Sequence, residues 1–68
     1  MSPLNINERF GNKLKEYRCK HKMSQYTLGK LLSYTQAEIS KVENGKRDIS
    51  MSKFVYINNL LKLIEFNL

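Results

Sequence analysis

An all-α fold of four short helices, with a fifth if the tail breaks near Lys62, is what this chain predicts. Three observations carry that prediction. Apolar residues recur at helical spacing in four separate stretches: Ile6, Phe10, Leu14 and Tyr17; Leu28, Leu31 and Leu32; Ile39 and Val42; Met51, Phe54, Ile57 and Leu61. A residue able to cap a helix stands ahead of each stretch: Asn5, Ser24, Thr35 and Ser50. Pro3 precedes the first stretch and the pair Asn44-Gly45 falls between the third and fourth, neither inside one.

Residues 1–5 read as a mobile arm around Pro3, with Asn5 also placed to cap the first helix and Glu8 to reach back from its third position. That helix runs from about Ile6 to Lys20, with Lys13, Lys15, Lys20 and Lys22 largely on its other faces. Met23 packs inward just before Ser24, the N-cap of a second helix over about 24–32. Ser33-Tyr34 is too short for a loose loop and suits a sharp helix–helix corner. Thr35 to Glu38 is a capping box, in which hydroxyl and carboxylate each satisfy an orphan backbone N–H. The third helix, about 35–43, buries Ile39 and Val42 and turns Gln36, Ala37, Ser40 and Lys41 outward. Asn44-Gly45 ends it, because glycine enters the left-handed conformation at little cost. Lys46-Arg47-Asp48 is a short polar loop. Ser50 caps the fourth helix, although Lys53 stands where a capping box needs Glu or Gln. Beyond it, Leu60, Leu63, Ile64, Phe66 and Leu68 add more apolar surface than one stripe needs. Two readings of that surplus stand: a dimer or partner surface over 60–68, or a fifth helix closing the monomer's own core.

Sixty-eight residues make one small domain, here 6–68. Chains below about 70–80 residues usually draw support from disulfides, metals, oligomers or very regular helix packing. Cys19 is the only cysteine, which excludes a disulfide within the chain, and one thiol with one histidine, His21, argues against a dedicated structural zinc site. Regular helix packing, dimerisation or both remain. Cys19 reads as a small, partly buried apolar residue and His21 as exposed. Twelve Lys plus Arg against six Asp plus Glu give +6, a balance that favours a polyanionic partner. No apolar run approaches about 18–20 residues, so no membrane span is expected. The start has no basic, apolar and cleavage-site pattern of a signal peptide, and a reduced cytoplasmic setting is expected. No acid/base pair, nucleophile constellation, phosphate-binding glycine loop or metal cluster is visible, which argues against an enzyme, a cofactor or a small-molecule substrate.

The run SQYTLGKLLSYTQAEISKVENGKR, Ser24 to Arg47, resembles the phage-repressor (Cro and lambda-repressor) type of helix-turn-helix domain. The resemblance spans about Leu14 to Leu61, roughly two-thirds of the chain. Arg18 lies seven residues before Gln25, as the family's first-helix arginine does, and Met23-Ser24-Gln25 is similar to its entry motif. Leu28, Leu32, Ile39 and Val42 stand at its core positions, and Glu43-Asn44-Gly45 is similar to its exit. Ser50-Met51 and Phe54 fit its next helix start. Two positions depart: Gly29 replaces the usual alanine of the first motif helix, and Ser33 replaces the corner glycine, where a positive φ is uncommon for any other residue.

The resemblance implies a sequence-specific double-stranded-DNA-binding regulator of transcription, with the third helix in the major groove. Gln36, whose amide donates and accepts at once, matches adenine N6 and N7; Ala37 suits a thymine methyl; Ser40 and Lys41 suit further bases or phosphates. Phosphate contacts are expected from Gln25, Thr35, Asn44, Lys46 and Arg47, with Gln25 also supporting Gln36. Tyr34 has two open roles, a hydroxyl to the DNA backbone or packing on the corner. Arg18 and Glu43 are implied as a structural ion pair joining the first and third helices. A two-fold homodimer on a palindromic operator would supply the specificity one small module lacks. Two alternatives stand beside this: an antitoxin-like module whose tail grips a protein partner, and the N-terminal domain of a longer repressor.

Overall fold

A computed structural model describes residues 5–63. They form α1 (Ile6–Lys20), α2 (Gln25–Leu32), α3 (Gln36–Glu43) and α4 (Met51–Leu61), with no strand among the described residues. The fold is all-α, as expected. Residues 1–4 of the expected arm, and any fifth helix after Lys62, lie outside the described residues; Asn5 belongs to the start of α1. No helix among the described residues is long and apolar enough to cross a membrane.

Helices α2 and α3 have eight residues each. Isolated helices shorter than about 12–15 residues are marginal in water, so these two depend on caps and packing. Each helix start is capped by the side chain the sequence offers. Asn5 Oδ1 accepts from Glu8 N at 2.8 Å, and Glu8 reaches back to the Asn5 side-chain amide, 2.9 Å away, rather than to its backbone. Ser24 Oγ accepts from Thr27 N at 3.0 Å and Ser50 Oγ from Lys53 N at 3.2 Å. Thr35 and Glu38 form both legs of the capping box, at 3.1 and 2.9 Å. Gly45, at φ +69°, turns the chain out of α3, where its N–H donates to Val42 O at 3.0 Å.

Phe10, Leu14, Leu28, Leu32, Ile39, Val42, Ile57 and Leu61 make the core, with Tyr17, Met23, Tyr34, Ile49, Phe54 and Leu63 packed against it. Helix α3 lies against both α1 and α2. Its approach to α1 is set by Gly11, which the periodicity did not single out. A Cβ there would fall 2.2 Å from the Val42 carbonyl oxygen.

Four expectations change. Leu31 is 47% exposed. The buried arc of α2 passes through Leu28, Gly29 and Leu32, and at about 100° per residue Leu31 falls off its edge. Met51 and Ile6 are 74% and 55% exposed. Both lie in first turns, beyond the end of the core, and with Ile49, Phe54 and Val55 they line a shallow groove of about 370 Å³. Cys19 is exposed, on the side of α1 opposite Leu14.

The two departures lie at one corner. Ser33 adopts the left-handed conformation, φ 63° and ψ 41°. The chain then folds back on Gly29, whose carbonyl accepts from Tyr34 N at 2.7 Å. A Cβ on Gly29 would stand 2.5 Å from the Tyr34 carbonyl oxygen. The approach of that carbonyl leaves no room for a side chain at position 29.

Candidate nucleic-acid interface

Burial of Ile39 and Val42 fixes the rotation of α3 about its axis. Gln36, Ala37 and Lys41 are exposed on the outer side and Ser40 is half-buried. Thr35, at the N-cap, and Asn44, at the C-cap, are both exposed, so the four residues expected to read bases lie between two exposed polar ends. Asn44 Nδ2 donates to Ser40 O at 2.8 Å, which orients its amide along the last turn.

Each end of α3 is fastened by charge. At the first turn, Glu38 Oε2 lies 3.0 Å from Arg47 Nη2 while Oε1 accepts from Thr35 N. The Thr35 N–H, its hydroxyl and the Arg47 charge together hold the Glu38 carboxyl below its ordinary range, the backbone N–H contributing most. The Arg47 guanidinium also stands 5.5 Å from the Tyr34 ring centroid. Tyr34 is half-buried against the core, and burial pushes its phenol up. Lys53, from α4, approaches the same ring with Nζ at 4.8 Å and lies 5.6 Å from Tyr56.

At the last turn, the buried Glu43 carboxylate receives three donors. Arg18 Nε lies 2.6 Å from Oε2, Arg18 Nη2 3.1 Å from Oε1, and Gln25 Nε2 3.2 Å from Oε1. Arg18 Nη1 donates to Met23 O at 3.0 Å, so the same guanidinium holds the turn between α1 and α2. Its bond to Glu43 raises the Arg18 pKa. The side chain of Glu43 is 2% exposed. A carboxylate so buried is tolerable only with its lone pairs occupied. The expected link from Gln25 to Gln36 is absent among the described residues: the Gln25 side chain is turned to Glu43.

The structure therefore gathers Gln36, Ala37, Ser40, Lys41, Thr35 and Asn44 on one helix, and Tyr34 and Arg47 beside its start. Lys46 is exposed in the loop just past α3. Lys53 and Tyr56 were missed by the sequence reading. The nearness of Lys53 to Tyr34, 19 residues away in the chain, has no local pattern to signal it, and Tyr56 enters only as the residue three after Lys53 on α4. Of the expected apolar tail surface, Leu60 is 48% exposed, whereas Leu63 is half-buried and packs against the core. Ile64, Phe66 and Leu68 lie outside the described residues.

A family model described as helix-turn-helix matches residues 14–66, most of the chain. Neither the curated proteins nor the solved structures yield a match.

Proposed function

Since the chain belongs to the helix-turn-helix family of the phage-repressor type, a family of DNA-binding regulators, we propose that it regulates transcription by binding a specific double-stranded operator as a two-fold dimer. The observation that supports this reading is α3. It is a capped helix held at both ends, burying Ile39 and Val42 and offering Gln36, Ala37 and Lys41 to solvent. A helix of that shape fits the major groove with its N-terminal residues at base edges.

In this reading Gln36 pairs bidentately with adenine, Ala37 touches a thymine methyl, and Ser40 and Lys41 reach neighbouring bases or phosphates. Tyr34, Thr35, Asn44, Lys46 and Arg47 contact phosphates and set the register. Gln25 reaches a phosphate through the backbone N–H groups at the start of α2, its side chain serving the Glu43 network. Two copies read two half-sites about one helical turn, ~34 Å, apart, on one face of the duplex. Occupancy of the operator blocks or assists polymerase in the cytoplasm or nucleoid.

Selection of duplexes from a random library at ~0.15 M salt tests this. Enrichment of a palindrome with half-sites about one turn apart is expected. The Gln36→Ala protein should keep its fold and lose ~1–3 kcal/mol of discrimination at one or two base pairs. Equal weakening on selected and random duplexes would remove Gln36 from base reading, and no enrichment by a folded protein would overturn the operator reading.

A further inference from the structure

Lys53 differs from the other cations in how its charge is held. It is half-buried in the first turn of α4, with Nζ 4.8 Å from the centroid of the Tyr34 ring and 5.6 Å from that of Tyr56. Ring faces attract a cation, and contact with two of them restricts a side chain that is otherwise highly mobile. Tyr34 directly precedes Thr35, the N-cap of α3. The ammonium is thus carried from a fourth helix to the entry of the helix that faces outward with Gln36.

Arg47 shares the Tyr34 ring, but its guanidinium is already paired with Glu38 at 3.0 Å. No carboxylate pairs with Lys53 among the described residues. Of the two cations on this ring, one has a counter-ion among the described residues and the other does not.

We infer that Lys53 is a DNA phosphate contact, held in place by Tyr34 and Tyr56, for the strand that passes the N-terminal end of α3; this rests on the DNA-binding reading above. A compact ammonium binds any phosphodiester alike, so the contact adds affinity and register without sequence preference. Arg47 makes the weaker contact of the two, because a phosphate must compete with Glu38 for it. Tyr56 acts as a positioning residue, through Lys53.

The test is affinity against salt, over ~0.05–0.2 M, for one selected and one random duplex. Lys53→Gln should weaken both about fivefold at ~0.15 M and flatten the log–log salt slope by about one for each protomer bound. Lys53→Arg should restore the slope. Arg47→Gln should flatten it less, and Lys13→Gln, at a cation paired with Glu16 on α1, should leave it unchanged. Tyr56→Leu, which keeps every charge, should weaken binding by a smaller factor. An unchanged slope in Lys53→Gln, with far-UV circular dichroism intact, would overturn the assignment, as would a loss confined to the selected duplex. If Arg47→Gln flattens the slope and Lys53→Gln does not, DNA binding stands and the Lys53 contact falls. If the wild-type protein binds neither duplex, both fall together.

Discussion

Glu38 shows how one side chain can serve fold and surface at once. One carboxylate oxygen closes the capping box on Thr35 and the other holds Arg47 on the edge of the outward face of α3. Both interactions favour the ionised form, which is why the carboxyl titrates low. The sign of its effect on stability follows. Between the folded and the ordinary pKa the unfolded chain binds the extra proton, so stability rises with pH there. The contribution is complete above the ordinary glutamate value, about 4.3, and is lost as pH falls through the depressed folded value. Glu38→Gln keeps the capping geometry, since glutamine also closes the box, and removes only the charge. We expect acidification from about pH 5 to about pH 3 to lower the Tm of the wild-type protein more than that of Glu38→Gln. Equal acid sensitivity of the two would assign the loss to other carboxylates. That Glu38 caps α3 was legible in the sequence, being a matter of three-residue spacing. That it also meets Arg47 was not, because the loop between them has no periodicity to read.

Among the elements, the corner between α2 and α3 is the most constrained. Helix propensity alone favours Ala over Gly at position 29 by about 1 kcal/mol. The structure reverses that expectation, since the new Cβ would meet a backbone oxygen that cannot move without opening the corner. Gly29→Ala should therefore destabilise by about 1–3 kcal/mol. Ser33→Gly should stabilise by up to about 1 kcal/mol, the left-handed penalty partly offset by the added freedom of the unfolded chain. Urea midpoints at constant m-value measure both, and a stabilising Gly29→Ala would mean that the corner relaxes at little cost. The helices themselves were plain in the sequence because their caps are local chemistry: Asn5, Ser24, Thr35 and Ser50 each bond within three residues. What the sequence reading lacked depends on neighbours distant in the chain. Gly11 lies 31 residues before Val42, whose carbonyl it admits. Leu31 and Met51 fit a helical stripe, but only the placement of the other helices decides how wide that stripe is. The Arg18–Glu43 pairing, 25 residues apart, was suggested by the family resemblance; spacing alone carries no such distance.

For the whole molecule, size limits how two copies can meet. The principal extents of the domain are 31 × 25 × 23 Å. Half-sites about 34 Å apart would set two such bodies edge to edge, touching rather than interlocking. A contact of that kind falls below the ~1,200 Å² typical of stable complexes. We expect a monomer in solution at micromolar concentration that pairs when a palindromic duplex is added, as sedimentation velocity would resolve. A dimer that persists without DNA would require a broader contact, with the exposed apolar side chains of α4 the first place to look. Time acts on the molecule as well. An asparagine followed by glycine is unusually open to spontaneous deamidation, because the next backbone nitrogen can attack the side-chain amide unhindered. Here both reacting groups are occupied: Gly45 N–H donates to Val42 O and the Asn44 amide to Ser40 O. The reaction must wait for the last turn of α3 to open, and each event leaves a carboxylate where a phosphate is expected to dock. The protein's chemical lifetime as a DNA-binding molecule is then set by how often its third helix frays.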